Sequence, residues 1–156
     1  MEKFNKLYNN ALKFLSFRSR SEKEVFDHLI KKEDAIEVIT QVIAKLKEQK
    51  FLNDYEFAKQ WIESRMRFRP RSQKMLAFEL KQKGISKEII EQIFNFQFSI
   101  FNEKEQIQKL IEKKIEKYKG LPRQEVFQKL GGFLARRGFD YDTIKASIDD
   151  IFKKRV

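Results

Sequence analysis

The chain has 156 residues, with 34 Lys+Arg against 23 Asp+Glu, a formal charge of +11, no cysteine and a single histidine, His28. Without cysteine there is no disulfide framework, no thiolate metal site and no cysteine nucleophile, and the length allows one modest core or a string of small ones. Sixteen phenylalanines are too many for a disordered chain, and only 5 glycines and 2 prolines point to mostly helical structure.

The longest uncharged stretch, Gln92 to Asn102, is far shorter than the ~20 apolar residues of a membrane-spanning helix. Met1-Glu2-Lys3-Phe4-Asn5 carries no apolar block behind a basic one, so no secretory signal is expected. A soluble, cytoplasmic protein is the resulting expectation, and its positive charge favours polyanionic or acidic partners.

Apolar residues recur with helical spacing from end to end. Phe4, Leu7, Tyr8, Ala11, Leu12 and Leu15 form a first amphipathic stripe, interrupted at Phe17 to Arg20. Ser21-Glu22-Lys23-Glu24 has the pattern of a capping box and opens a short helix bearing Val25, Phe26, Leu29 and Ile30. A third helix runs through Ile36, Ile39, Val42, Ile43 and Leu46.

The same grammar then restarts. Asn53 or Asp54 caps a helix with Phe57, Ala58, Trp61, Ile62 and Met66 on one face, which Pro70 breaks. A short helix with Met75, Leu76 and Leu80 ends at Gly84, and Ser86 caps a further one with Ile89, Ile90, Ile93 and Phe94. In the third round Ile107, Leu110, Ile111, Ile115 and Tyr118 are followed by Pro122, expected in a first helical turn ahead of Val126, Phe127, Leu130, Phe133 and Leu134. Gly138 closes that helix, and Asp140 caps a last one with Tyr141, Ile144, Ile148, Ile151 and Phe152. Phe94 to Ile100 alternates apolar and polar residues like a strand, but a lone strand among helices has no partner, so a helix end and linker is expected there.

The rounds align by number. Ser21 and Leu29 lie 51 residues before Ser72 and Leu80, and Leu80-Lys81-Gln82-Lys83-Gly84-Ile85 lies 54 before Leu134-Ala135-Arg136-Arg137-Gly138-Phe139. A period of about 50 built from long, short and medium helices marks a modular array. The expected fold is therefore all-α: a tandem array of three three-helix modules, residues 1–50, 51–98 and 99–156, elongated and curved. Positive charge is shared among them, at +3, +3 and +5.

Little in the sequence speaks for catalysis. His28 has no second histidine beside it, and neither a GxxxxGK[ST] run nor a Gly-x-Gly-x-x-Gly loop is present. Carboxylate pairs such as Glu22/Glu24 and Asp149/Asp150 fit caps and solvated faces better than a divalent-metal nuclease. No catalytic residue, metal or cofactor is expected. The most unusual segment is Arg65-Met66-Arg67-Phe68-Arg69-Pro70-Arg71-Ser72-Gln73-Lys74: from Ser64 to Phe78 there are five positive residues and no acidic one. Guanidinium forks suit phosphate and carboxylate, and Phe68 can stack on a base. The alternative is a solvated turn whose arginines complement a helix C-terminus. Smaller basic clusters stand at Arg18 and Arg20 before Ser21, and at Arg136 and Arg137 before Gly138. Trp61 and the phenylalanine stripes are expected in the core.

These residues resemble a known family. Phe51-Leu52-Asn53-Asp54-Tyr55-Glu56-Phe57-Ala58, Arg65, Arg69-Pro70-Arg71-Ser72 and Glu79-Leu80-Lys81-Gln82-Lys83-Gly84-Ile85 are similar to the central signature of the RecX family. Arg18-Ser19-Arg20-Ser21-Glu22-Lys23-Glu24 and Phe133-Leu134-Ala135-Arg136-Arg137-Gly138-Phe139-Asp140-Tyr141 resemble its first and third modules. There are two departures: Ser72 where the family often has glycine, and Glu33-Asp34 where later modules have Lys83-Gly84 and Arg137-Gly138.

The resemblance implies a non-enzymatic regulator of the RecA recombinase, a monomer lying in the groove of the RecA–DNA filament. Such proteins suppress strand exchange, ATP hydrolysis and filament-stimulated repressor cleavage, the reactions of homologous recombination and the SOS response. On that reading Arg18, Arg20, Arg65, Arg67, Arg69, Arg71, Lys74, Lys81, Lys83, Arg136 and Arg137 face the filament and its single-stranded DNA. The competing reading is a general helical-repeat single-stranded DNA-binding protein with no protein target.

Overall fold

The computed structural model of the chain describes residues 1–97 and 103–154. Their elements are α1 (Glu2–Phe17), α2 (Glu22–Lys32), α3 (Ile36–Glu48), α4 (Asp54–Phe68), α5 (Gln73–Gln82), α6 (Lys87–Gln97), α7 (Glu103–Ile115), a 3-10 turn (Glu116–Tyr118), α8 (Arg123–Arg136) and α9 (Tyr141–Lys154). The architecture is all-helical, three three-helix domains in tandem, as the repeat predicts. Short polar side chains set the helix starts. Ser21 Oγ accepts from the Glu24 amide at 3.2 Å and Glu24 reaches back to the Ser21 amide at 3.2 Å, completing the capping box. Asn53, Ser72, Ser86 and Asp140 each accept from the amide three residues on. Pro122 lies one position earlier than expected, as the N-cap with ψ 147°, so α8 opens at Arg123. The alternating run from Phe94 is helical as far as Gln97, and Phe98 to Ile100 lies outside the described residues.

Two compact units divide the chain: Met1–Trp61 with Glu79–Glu91, and Ile62–Phe78 with Gln92–Val156. In the first, α1, α2 and α3 pack around Leu7, Ala11, Val25, Leu29, Ile39, Val42, Leu46 and Leu52. In the second, α7, α8 and α9 enclose Ile107, Leu110, Ile111, Ile115, Val126, Leu130, Leu134, Phe139, Ile144, Ile148 and Ile151. Each such valine, leucine, isoleucine or phenylalanine side chain contributes about 1.5–3 kcal/mol on burial. The cores are largely aliphatic, and the phenylalanines of the stripes pack on them as expected: Phe4 and Phe26 lie partly buried against the first, and Phe127, Phe133 and Phe152 against the second. Phe57, Phe94 and Phe139 are buried, but Phe17, Phe51, Phe68 and Phe78 are exposed.

Each unit contains the same kind of junction. In the first, the Ser21 hydroxyl donates to the Lys83 carbonyl at 2.7 Å, and Lys23 Nζ reaches the Gln82 carbonyl at 3.4 Å. The C-terminus of α5 is thereby seated against the N-terminus of α2. In the second, the Ser72 amide donates to the Arg137 carbonyl at 3.0 Å, seating the C-terminus of α8 against the N-terminus of α5. Both seated ends close on a left-handed glycine, Gly84 (φ 80°) and Gly138 (φ 91°). The next amides, of Ile85 and Phe139, bond back to the Leu80 and Leu134 carbonyls at 3.0 and 3.2 Å, and both residues are buried. Handedness is only half of the requirement. A Cβ on Gly84 would lie 2.5 Å from Lys23 Cβ, and one on Gly138 would lie 2.6 Å from Ser72 Oγ and 2.7 Å from Met75 Cβ. The departure at Glu33-Asp34 has a matching structural context. There α2 ends with the Glu33 amide bonded to the Leu29 carbonyl and its backbone extended (φ −156°, ψ 126°), with no left-handed residue.

Gly120 (φ 89°) has nothing within 4 Å of its would-be Cβ and isolates the conformational cost. Gly120→Ala is expected to cost about 1–2 kcal/mol. Gly84→Ala and Gly138→Ala should each cost about 1–3 kcal/mol more, from the added overlap. Urea denaturation of the three variants checks this, and equal losses at all three would dismiss the close-approach requirement.

Candidate polyanion-binding surface

The basic segment spans the last turn of α4, a bend and the first turn of α5. The Arg69 amide still bonds to the Arg65 carbonyl at 2.8 Å, but Pro70 has no amide and restricts the residue before it, so the helix stops. Ser72 then starts α5 by accepting from the Met75 amide at 3.1 Å. Arg65 and Arg71 are half-buried, whereas Arg67, Arg69 and Lys74 are exposed. Arg71 Nε donates to the Arg69 carbonyl at 3.2 Å and so braces the bend.

Arg137 reaches this bend from the end of α8. Its guanidinium donates to the Pro70 carbonyl at 3.0 Å and lies over the Phe133 ring, 4.9 Å from the centroid. Burial lowers its pKa, and the like charges of Arg71 and then Arg69 lower it further. The Arg137 guanidinium thus shares one field with Arg69 and Arg71, more than sixty residues earlier in the chain. Arg137 nonetheless stays protonated at neutral pH, because the ordinary arginine value lies so far above it. Lys74 is opposed only at longer range by Asp140, whose carboxyl is committed to capping α9 through the Thr143 amide at 2.8 Å. Among the described residues Arg67, Arg69 and Arg136 make no ion pair with a carboxylate.

In the other unit the sequence-selected cations hold structure together. Glu24 is a hub: Arg18 Nη2 lies 2.6 Å and Lys83 Nζ 3.4 Å from its Oε2. Burial pulls the Glu24 carboxyl upward, but the Arg18 hydrogen bond, the Ser21 amide and the Lys83 and Arg18 charges outweigh it and hold the pKa low. Lys83 also sits 5.3 Å from the Trp61 ring centre, while the half-exposed indole donates to Glu79 at 3.0 Å. Arg20 covers the Phe14 ring at 3.9 Å, and His28 stacks on the same ring at 3.9 Å and an interplanar angle of 2°. Two groups so close to one centroid must occupy opposite faces of the ring. Burial, then Lys32, Arg20 and Lys31, lower the His28 pKa, and its Nε2 meets Asn10 Oδ1 at 2.9 Å. His28 is thus a packed, neutral ring. Lys81 is exposed.

Two cations that sequence reasoning missed border a cleft of about 490 Å³ in the second unit. Met66 and Arg67 line it from the end of α4, Pro70 from the bend that follows, and Gln106, Lys109, Leu110, Glu112 and Lys113 from α7. Lys109 and Lys113 stand one helical turn apart, so only their common face was legible. Nothing in the local pattern places that face beside Arg67. Among the described residues, no group of three His, Cys, Asp or Glu is arranged to hold a metal ion, and no helix is long and apolar enough to cross a membrane.

Residues 8–46, 53–93 and 102–148 match, in order, the family models described as the first, second and third three-helix domains of RecX. The regulatory protein RecX of Finegoldia magna is 35% identical over 149 residues, covering 93% of this chain and 71% of that protein. The chain belongs to the RecX family. The Bacillus subtilis regulatory protein RecX is 38% identical over 150 residues, covering 96% of this chain but 56% of its own length. This chain thus spans about half the length of most of the curated relatives it matches. The crystal structure of RecX from Lactobacillus salivarius superposes with a TM-score of 0.80 at 27% identity, covering 96% of each chain. RecX relatives carry the name of regulatory proteins, and the three tandem helical domains here are those of that family.

One acid pair makes the first unit pH-sensitive. Asp54 Oδ1 accepts from the Glu22 amide at 2.9 Å, and Lys47 pairs with Glu22 at 2.8 Å. Burial, partly offset by that amide and reinforced by the Glu22 carboxylate, pushes the Asp54 carboxyl from 3.8 up to about 6. The folded chain therefore holds this proton more tightly than the unfolded one. Stability from this group should rise as pH falls from about 6 to about 4, and should drop as pH climbs back through 6. Asp54 is half-exposed, so solvent screening leaves on the order of 1 kcal/mol. Urea midpoints at intervals across that window, for the parent and Asp54→Asn, check it. Parallel curves for the two proteins would contradict the raised Asp54 pKa.

Proposed function

We propose that this chain is a non-enzymatic, cytoplasmic regulator that binds the RecA–DNA filament as a monomer and inhibits its recombinase, ATPase and coprotease activities. In this reading segments 1–50, 51–98 and 99–156 act as successive binding modules. Membership of the RecX family supports it, and one observation carries it: the cationic bend around Arg67, Arg69, Arg71 and Arg137. Arg67 and Arg69 there make no ion pair with a carboxylate among the described residues. Closely spaced cations repel unless an anion meets them, so such a cluster favours a polyanionic partner. Arg18 and Lys83, bound to Glu24, serve mainly to join helices. Arg136, Lys74 and Lys81 remain exposed and extend the binding surface. Several weak contacts on one connected scaffold add through effective concentration.

A second reading, a single-stranded DNA binder with no protein target, draws support from Phe68, 74% exposed between Arg67 and Arg69. Aromatic rings interleaved with cations suit stacked bases.

The test is an ATPase time course of the recombinase on single-stranded DNA. Substoichiometric addition of this protein is expected to slow turnover, and the triple variant Arg67→Glu, Arg69→Glu, Arg71→Glu should weaken inhibition at least about tenfold with unchanged helicity. Undiminished inhibition would remove these arginines from the interface. Titration against naked DNA and filaments at two salt concentrations separates the readings: equal affinity for both would favour the second.

A further inference from the structure

We propose that the cleft between the end of α4 and α7 is a nucleotide subsite for single-stranded DNA. Arg67, Lys109 and Lys113 on its rim would meet a phosphodiester, and Met66, Pro70 and Leu110 would receive the base. The proposal rests on the filament reading and deepens it, because it assigns this part of the surface to the nucleic acid rather than to the recombinase.

Three observations carry it. The first is shape: a cleft of about 490 Å³ falls within the ~300–1,000 Å³ typical of ligand sites. The second is charge. Three cations and one carboxylate, Glu112, border it, and Arg67, Lys109 and Lys113 make no ion pair with a carboxylate among the described residues. The third is the apolar lining. Pro70 is half-buried, and Met66 and Leu110, each 7% exposed and held in place by their packing, add a narrow apolar edge. Duplex DNA offers phosphates to such a site but keeps its base faces stacked inside. An acidic peptide offers carboxylates but no planar apolar group beside each one. A single strand offers a phosphate and an unstacked base face at every residue. Phe68, exposed on the same helical turn as Arg67, can take the neighbouring base.

Lys109 and Lys113 are exposed and outside the cationic bend, so they can be changed without disturbing it. Anisotropy of a fluorescein-labelled thymidine oligonucleotide of about 20 residues, with no recombinase present, reads the site directly. Lys109→Glu/Lys113→Glu should weaken binding roughly tenfold or more, and should lower the slope of log affinity against log salt by about 1.4, for two phosphate contacts. Lys31→Glu/Lys32→Glu makes the same charge change on α2 and should weaken binding by no more than about twofold. Lys109→Gln/Lys113→Gln, with a thermal melt, guards against loss of fold and should fall between parent and reversal.

Equal losses for the two reversal variants, or no loss at Lys109 and Lys113, would overturn the assignment in favour of net charge alone. Poly-glutamate of the same length binding as tightly, with the same loss, would assign the cleft to an acidic peptide instead. The ATPase assay keeps the two readings apart. Inhibition without oligonucleotide binding removes the subsite and leaves the filament reading. Oligonucleotide binding through the cleft without inhibition does the reverse.

Discussion

The structure depends on a steric constraint at two glycines. Gly84 and Gly138 each end a helix in a conformation unfavourable to any residue with a Cβ, and each is also pressed against the first turn of another helix. The close approach lets a main-chain carbonyl on the seated turn accept from Ser21 Oγ in one unit and from the Ser72 amide in the other. A larger residue would push the turn away and lose that bond as well as the packing of Ile85 or Phe139 behind it. Modules of about 50 residues bury little surface by themselves, so a repeat array relies on such contacts between neighbours for its stability.

The same junctions sort the cations. Arg18 and Lys83 converge on Glu24, at the helix end where Ser21 forms its cap, and are largely neutralised there. At the second junction the position aligned with Glu24, three residues after Ser72, is Met75 rather than an acid. Arg137 turns instead to the Pro70 carbonyl, and Arg69 and Arg71 crowd it with like charge. One architectural device thus gathers cations onto a carboxylate in one unit and crowds guanidinium groups together in the other.

Aromatic residues divide along a similar line. Phe14 is enclosed by Arg20 and His28, and Phe133 lies beneath Lys114 and Arg137, so these rings serve as platforms for charged groups at the rims of the cores. Cation–π contacts of this kind let an arginine remain charged while half-buried. The aliphatic interiors need no such arrangement, and they exclude the exposed rings of Phe17, Phe51, Phe68 and Phe78.

Helix number, caps and termination points were legible in the sequence because they are local. A serine three residues before its amide partner, a glycine after an apolar stripe and a proline behind an arginine act within a turn or two of backbone. Family kinship was legible for the same reason, since ordered motifs at fixed spacing survive in the linear text. Pairings between modules were not. That Arg137 leaves its own helix for Pro70, that Glu24 neutralises Lys83, and that Lys109 and Lys113 share a cleft with Arg67 depend on how helices far apart in sequence are placed. Local propensity carries no information on that placement. Close packing at the glycine junctions and around the cores decides it, and so decides which cations are paired within the fold.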